Sequence, residues 1–273
     1  MNLTKVQKMV KKVQQSLWRH SSNYFQGMFR SKFKGSGIQF KEHQVYQYGD
    51  DVRFIDWSLL ARKNTPYVKT FEEERNVHIL CVLPIRSSLV FKDSYETKIE
   101  SILETVCFFI LMAKKTKDYV DVIIDFNGVH YIRNLQGENG LLSLFKNLER
   151  HKVINTDGRI RYEIIIKEAR KFDFGGIKKY LSHKKETLIL ADGQVLNTSL
   201  NKKIVYPLNP RIFNFFASWE KSFTDGGWIN SGAVNFKVKY FDQKTKHEFK
   251  GIYPIEVNGQ HLESVTQYLL GHK

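Results

Sequence analysis

The sequence contains few of the residues that build disulfide scaffolds and flexible linkers. Only two of its 273 residues are cysteine, Cys81 and Cys107, and each lies in an apolar segment without a CxxC spacing. This pattern excludes a disulfide framework and fits buried thiols in a reducing compartment. Five prolines, no low-complexity segment and no internal repeat argue against extended linkers. We therefore expect one compact unit with appendages.

The chain also lacks a long hydrophobic run. Its longest uninterrupted apolar stretch, residues 106–113, is eight residues long, whereas a membrane-spanning helix needs about 20. Residues 1–30 lack the continuous apolar core of a signal peptide. The sequence therefore predicts a cytoplasmic protein.

Catalytic and nucleotide-binding motifs are missing as well. There is no HExxH pair and no Gly-x-Ser-x-Gly elbow, and nine histidines are scattered without metal-ligand spacing. Gly35-Ser36-Gly37 is not followed by the Gly-Lys-Ser/Thr of a P-loop, so these glycines are expected to allow a bend. We predict a protein that is not an enzyme and that uses no cofactor and no metal.

Acidic residues are absent from the first 41 positions, which carry nine Lys or Arg. The whole chain has a formal net charge of +15, a field that attracts nucleic acid, anionic lipid or an acidic protein face. Apolar residues spaced three and four apart predict a basic amphipathic helix; they are Leu3, Val6, Val10, Val13 and Leu17. Together with Trp18 and Tyr24, the charge supports a second hypothesis, binding of nucleic acid or an anionic membrane surface.

One run mixes charged and aromatic residues in a pattern that fits neither a plain amphipathic helix nor a half-buried strand. It extends from Tyr46 to Arg62. Its charged and turn-forming residues are Gly49, Asp50, Asp51, Arg53, Asp56 and Arg62, and its large aromatics are Tyr48, Phe54 and Trp57. Specific interactions must hold so many charges in place.

Three accounts of this run compete. In the first, Gly49 allows a turn, Asp50 and Asp51 accept from nearby backbone donors, and Asp56 caps a helix over residues 57–62. The arginines Arg53 and Arg62 then pair with the carboxylates. In the second, the carboxylates hold a metal or the basic groups of a partner. In the third, they join Glu72, Glu73 and Glu74 in a metal cluster that acts on phosphodiesters, although the arginines would neutralise much of that charge.

The run and its flanks resemble the signature of the bacterial domain of unknown function 58 family. The resemblance covers about forty residues in four pieces: Gly35 to Phe40, the core from Tyr46 to Trp57, Ala61-Arg62, and the tail Phe71-Glu72-Glu73-Glu74. It implies a von Willebrand factor A-like domain after the signature. It also implies a non-enzymatic adaptor or assembly role with a MoxR-type AAA+ ATPase and with membrane-associated von Willebrand A proteins. With such partners, a peripheral place at the inner membrane is an alternative to the free cytoplasm.

From residue 76 onward, continuous apolar runs alternate with helical patterns, which predicts a doubly wound α/β layer. Strands are predicted over residues 77–83, 119–126, 129–133, 187–191 and 203–207, and helices over 96–115, 141–149, 162–171 and 176–182. Residues 1–75 are predicted to carry the basic helix and the signature, and residues 76–210 the α/β domain. Residues 211–273 are predicted to add a C-terminal β-rich extension that packs on the same unit.

The resemblance also implies a site at the carboxyl ends of the strands, where von Willebrand A-like domains carry an Asp-x-Ser-x-Ser metal motif. Here Pro84 stands in place of the aspartate and Arg86 in place of the first serine, while Ser88 and the later acidic residue Asp192 are retained. A hard cation needs several oxygen ligands. We therefore predict a degenerate adhesion site in which Arg86 replaces the cation and meets a partner carboxylate directly.

Overall fold

The chain divides into two compact units, each described by itself. The smaller unit is Arg30–Asn76, and the larger contains Val77–Lys273. The structure is a computed structural model that describes residues 39–72, 77–91, 96–167, 174–182, 185–199, 210–222, 227–230, 235–238 and 252–270. The predicted helix at residues 3–17, the glycines at 35–37, the tail residues 73–75 and the predicted strand at 203–207 lie outside these ranges.

The smaller unit is a β-hairpin with a helical insertion. Strand β1 (Gln39–Val45) pairs antiparallel with β2 (Tyr67–Glu72), and the register runs from Val45 opposite Tyr67 to Gln39 opposite Glu72. Between the strands lie a single 3-10 turn over Val52–Phe54 and helix α1 (Trp57–Lys63). Helix α1 ends at Asn64, which adopts the left-handed conformation (φ 53°) that asparagine tolerates well.

The larger unit is built on a mixed, mostly parallel sheet. Its strands are β3 (His78–Pro84), β4 (Tyr119–Asp125), β5 (Val129–Leu135), β6 (Glu186–Asp192), β7 (Arg211–Phe216) and β10 (Ile252–Glu256). The spatial order is β10-β7-β6-β3-β4-β5. All neighbouring pairs are parallel except β4 with the edge strand β5. A separate antiparallel pair is formed by β8 (Gly227–Asn230) and β9 (Asn235–Val238).

Helices cover both faces of the sheet. They are α2 (Lys98–Thr116), α3 (Gly137–Arg150), α4 (Tyr162–Lys167), α5 (Phe174–Ile177), α6 (Gly193–Ser199) and α7 (His261–Leu270). Alternate residues of β3 point to opposite faces, so Ile79 and Cys81 pack in the core that contains α2, whereas Leu80 packs in a second core beside α6. The structure thus confirms the α/β layer predicted from the alternating pattern.

Helix α2 shows how local sequence and packing agree. Thr97 caps its N-terminus in a capping box, accepting from the backbone N–H of Glu100 while the Glu100 carboxylate accepts from that of Thr97. Its middle is buried all round because the sheet, α3 and α7 surround it. Within the described residues, no helix combines the length and the apolar character needed to cross a membrane.

The predicted C-terminal extension differs from the structure in its connection to the sheet. Strand β7 is an inner strand, and β10 pairs with it in parallel at the sheet edge. Residues 211–273 therefore complete the central layer and add α7 to it. The place of β7 and β10 in the sheet depends on partners that are distant in sequence, so local pattern does not predict it.

Candidate functional site

The signature begins with a tight turn whose donors are satisfied locally. Gly49 has a φ of 105°, a conformation that only glycine adopts without strain. The Asp50 carboxylate accepts from the backbone N–H of Gln47 at 2.9 Å. Asp50 is therefore used to fix the turn, as the first account of the sequence predicted.

Asp51 and Arg53 form a paired unit on the surface. The Asp51 carboxylate accepts from the Arg53 backbone N–H at 3.0 Å and from two guanidinium nitrogens, Nε at 3.0 Å and Nη2 at 2.6 Å. These hydrogen bonds from Arg53 lower the pKa of Asp51 to about 2. The predicted pairing of Arg53 with a carboxylate is confirmed.

Asp56 organises the start of α1 and the strand pair. Its carboxylate accepts from the backbone N–H of Leu59 at 3.0 Å, which makes Asp56 the helix N-cap. His43 Nε2 lies 2.9 Å and Lys69 Nζ 3.3 Å from the same carboxylate. The hydrogen bond from His43, followed by those from Leu59 and Lys69, lowers the pKa of Asp56 to about 2.

The remaining signature residues lie on the surface or outside the described residues. Arg62 is exposed in the last turn of α1 and pairs with none of the three aspartates within residues 42–70. Its predicted pairing is therefore wrong: the carboxylates lie at or before the start of α1, about two turns away. The backbone of Glu72 pairs with Gln39, but its side chain, like all of Glu74, lies outside the described residues.

Large side chains of the same run are left in solvent. Tyr48 is fully exposed, Trp57 is 66% exposed and Val52 is 55% exposed. We call the exposed residues Tyr48, Asp50, Asp51, Val52 and Trp57 the signature surface. Exposed large aromatics on a locally satisfied scaffold are typical of a protein-binding surface. Within the described residues, its aspartates do not form a metal-ligating cluster.

The lowered pKa values predict how the signature responds to acid. A carboxyl whose pKa falls from 3.8 in the unfolded chain to about 2 in the folded one stabilises the fold above pH 4. This stabilisation is lost as the pH falls from about 4 to about 2. Carboxyl carbon NMR shifts should show midpoints near pH 2 for both Asp51 and Asp56.

The variant Arg53→Gln supplies the control for this titration. It should return the Asp51 midpoint towards 3.8 and leave Asp56 near 2, because only Asp51 is paired with that guanidinium. Midpoints near 3.8 for both carboxyls in the unmodified protein would contradict the pairing.

The second candidate region, which we call the crest, is the edge of the sheet at the carboxyl ends of the parallel strands. Its predicted site residues are Pro84, Arg86, Ser88 and Asp192. The guanidinium of Arg86 donates to the backbone carbonyls of Ile85 and Asp125, both at 2.7 Å. It also forms an ion pair with the Asp125 carboxylate at the end of β4. Arg86 is only 8% exposed. The prediction that Arg86 meets a partner carboxylate is therefore wrong, because Asp125 of the neighbouring strand occupies that role.

A buried lysine lies beside the retained acidic residue of the crest. Lys98, the first residue of α2, places its Nζ 2.9 Å from Asp192 Oδ2 and 2.7 Å from Glu220 Oε1. Its side chain is 2% exposed, and both carboxylates are buried as well. Ser88 is buried in a 3-10 turn, and Pro84 ends β3 opposite Asp125. The positive charge beside Asp192 is thus the ammonium of Lys98.

The charge states of this cluster follow from its composition. Burial alone lowers the pKa of Lys98, but attraction to Asp192 and Glu220 and hydrogen bonds from the ammonium to both outweigh it and raise that pKa. Burial raises the pKa of Glu220, and repulsion by Asp192 adds to the effect while Lys98 opposes it. One ammonium neutralises only one of two carboxylates. Lys98 is therefore charged at neutral pH, and Glu220 takes up a proton at a higher pH than an ordinary glutamate.

Sequence reasoning missed Lys98, Asp125 and Glu220. Lys98 and Glu220 are 122 residues apart, and only the pairing of β6 with β3 and β7 brings their elements together. The sequence holds one signal: Lys98 is a charged residue in the first turn of a helix whose middle is apolar. A second buried group, Glu96, Glu104 and His261, was missed for the same reason and has the geometry of metal ligands.

Relatives with sequence similarity cover short parts of the chain. A 57-residue segment is 37% identical to Uncharacterized protein Mb1516 of Mycobacterium bovis (strain ATCC BAA-935 / AF2122/97) and to Uncharacterized protein Rv1480 of Mycobacterium tuberculosis (strain ATCC 25618 / H37Rv). The match covers 21% of this chain and 18% of each relative. The chain therefore aligns with less than a fifth of the length of these proteins.

Two solved structures with some similarity are of Bacteroides proteins. The conserved hypothetical protein BatB of Bacteroides thetaiotaomicron has 13% sequence identity and a TM-score of 0.44, and the match covers 72% of this chain and 98% of that one. An aerotolerance-related membrane protein of Bacteroides fragilis NCTC 9343, solved with multiple mutations to serines, has 13% identity and a TM-score of 0.43 over 72% of this chain and 100% of its own.

The family model gives the broadest sequence match. It covers residues 42–171, which begin within the signature and continue past α4. The segment includes the turn at Gly49, the Asp51–Arg53 pair and the cap at Asp56. The match to the model described as "Protein of unknown function DUF58", over just under half of the chain, supports the DUF58 family for this protein.

Proposed function

We propose that this protein is a non-enzymatic adaptor or assembly factor that acts with a MoxR-type AAA+ ATPase. It does so through a von Willebrand factor A-like domain whose metal site is degenerate. The identity of the partner comes from the family resemblance. The exposure of Tyr48 and Trp57 on a scaffold that satisfies its own charges is the observation that carries the docking role.

The topology of the larger unit supports the proposed domain type. Numbered along the chain, the six strands of the sheet follow the order 3-2-1-4-5-6, the order of doubly wound folds. Ligands of such folds bind where the strand order reverses, at the carboxyl ends of the strands. In this sheet that point lies between β3 and β6, and Arg86, Lys98 and Asp192 surround it.

The charges at that point favour docking over metal chemistry at the crest. A divalent cation there needs oxygen ligands with unneutralised charge, but Asp192 and Glu220 already hold the Lys98 ammonium, and Asp125 holds Arg86. Each positive group is within hydrogen-bonding distance of its carboxylate. Arg86 and Lys98 are thus both paired with carboxylates inside the crest.

The signature surface supports recognition of a folded partner. Tryptophan and tyrosine are over-represented among residues that dominate binding energy at interfaces, because they bury a large area with little loss of side-chain freedom. Asp50 and Asp51 are held by backbone and guanidinium donors, so the surface is ordered before it binds. Preorganisation of this kind lowers the entropic cost of association.

Co-purification tests the proposal. The tagged full-length chain, isolated from its native cell at low ionic strength with ATP present, should recover a MoxR-type AAA+ ATPase identified by mass spectrometry. Repeating the isolation at 0.5 M salt tests the rival function, since phosphate contacts weaken steeply with ionic strength. Recovery of nucleic acid or anionic lipid in place of an ATPase would contradict the adaptor role and favour the rival, which the net charge of +15 suggests.

A further inference from the structure

Three buried residues from distant parts of the chain meet between helices α2 and α7. Glu96 precedes the N-cap of α2, Glu104 lies two turns into α2, and His261 is the first residue of α7. His261 is 1% exposed, and both glutamates are also buried. Neither the crest nor the signature includes any of the three.

The three side chains are neighbours, and each carboxylate lies beside a different ring nitrogen of His261. His261 Nδ1 lies 2.8 Å from Glu96 Oε1, and His261 Nε2 lies 3.5 Å from Glu104 Oε2. One ligand atom from each of the three residues lies within 4.8 Å of the others. Within the described part of the chain, however, neither ring nitrogen of His261 makes a hydrogen bond of normal geometry. A fully buried imidazole with two such nitrogens is an uncommon arrangement.

The donor atoms identify the kind of ion that fits. The three buried residues offer carboxylate oxygens and one imidazole nitrogen, and divalent transition-metal ions bind both kinds of donor. We propose that Glu96, Glu104 and His261 bind one divalent transition-metal ion, with zinc as the best match.

The ligand types favour zinc over magnesium or calcium. Zinc accepts one imidazole nitrogen and carboxylate oxygens at about 2.0–2.2 Å, whereas magnesium and calcium select oxygen ligands. Ligands of one tetrahedral zinc ion are separated by about 3.4 Å at these bond lengths. The observed limit of 4.8 Å is wider, and the two glutamates face different ring nitrogens. Binding of one ion would therefore require the glutamate side chains to turn towards a single nitrogen of His261.

The position of the site gives the ion a structural role. It would join the start of α7 to α2, the central helix of the larger unit, and so fix the end of the described chain against the sheet. This role is independent of the adaptor function, because the signature surface lies in the smaller unit.

Metal titration of the full-length chain tests the site. After treatment with a chelator, zinc should bind with a stoichiometry of one per chain in isothermal titration calorimetry. Cobalt should bind at the same site and give visible d–d absorption bands of a low-symmetry complex. Glu104→Gln and His261→Gln keep side-chain size and should each weaken zinc binding by about 100-fold. Magnesium at millimolar concentration should not compete.

A second histidine site supplies the matched control. The rings of His130 and His151 stack at 3.3 Å between centroids and are the alternative place for adventitious binding. The variant His151→Ala should therefore leave the stoichiometry and affinity for zinc unchanged. Circular dichroism checks that each variant is folded, and if His261→Gln does not fold, Glu104→Gln alone decides. Zinc binding that survives Glu104→Gln, that is lost in His151→Ala, or that is absent from the unmodified chain would overturn the proposal.

Discussion

Replacing Lys98 with methionine is expected to destabilise the larger unit by about 3–5 kcal/mol, the usual effect of removing one partner from a buried ion pair. Methionine fills a similar volume, so the loss reflects charge more than packing. Without the ammonium, Asp192 and Glu220 remain buried beside each other as two carboxylates. Urea denaturation followed by circular dichroism measures the change.

The pH dependence of this variant separates a charge effect from a packing effect. In the variant, Glu220 keeps the burial and the repulsion by Asp192 that raise its pKa, and it loses the opposing effect of Lys98. Its protonated form therefore stabilises the fold, and its ionisation is unfavourable. Stability is then greatest below the unfolded pKa and falls as pH rises through the folded pKa. The loss of unfolding free energy caused by Lys98→Met should therefore become smaller as the pH is lowered towards 4. Adding Glu220→Gln should also recover part of the loss at neutral pH.

Lys185→Met is the matched control for the Lys98 variant. Lys185 pairs with Asp121 at 2.7 Å, but its side chain is 21% exposed. Asp121 keeps the Tyr131 hydroxyl at 2.6 Å and the Asn134 N–H at 2.9 Å when the lysine is removed. The expected loss is therefore about 1 kcal/mol. Equal losses for the two variants, or a Lys98 deficit that does not change with pH, would contradict the account of the crest.

The sequence predicts those parts of the fold that depend on local pattern. Residues 77–83 and 119–126 are mostly apolar segments, and they correspond to the buried strands β3 and β4. Asp56 before an apolar helical segment predicts an N-cap, and the structure confirms it. These features are set by neighbours within a few residues, where propensity and capping act directly.

The sequence fails where partners are distant along the chain. The sequence predicts a partner carboxylate outside the molecule for Arg86, because Asp125, which binds it, becomes its neighbour only through the parallel pairing of β3 and β4. The scattered histidines gave no metal spacing, yet His261 meets glutamates about 160 residues earlier. Such clusters are built by topology, which no local periodicity reports.

The signature surface gives the second large prediction. Alanine at both Tyr48 and Trp57 should weaken binding of the proposed ATPase by about 30-fold or more, since truncating a dominant aromatic at an interface costs about 2 kcal/mol or more. Both side chains are exposed, so the fold should be unaffected. Surface plasmon resonance with the purified ATPase and ATP measures the affinity, and thermal unfolding checks stability.

The control variants decide whether such a loss belongs to the signature surface. Arg133→Ala, at an exposed position on the edge strand β5, should leave affinity unchanged because it lies in the other unit. Arg53→Gln keeps both aromatics but removes the guanidinium that holds Asp51. If preorganisation matters, this variant should slow association and weaken binding less than the loss of the aromatics. Unchanged affinity in the double alanine variant would show that the signature surface is not part of the interface. The crest would then be the favoured docking site.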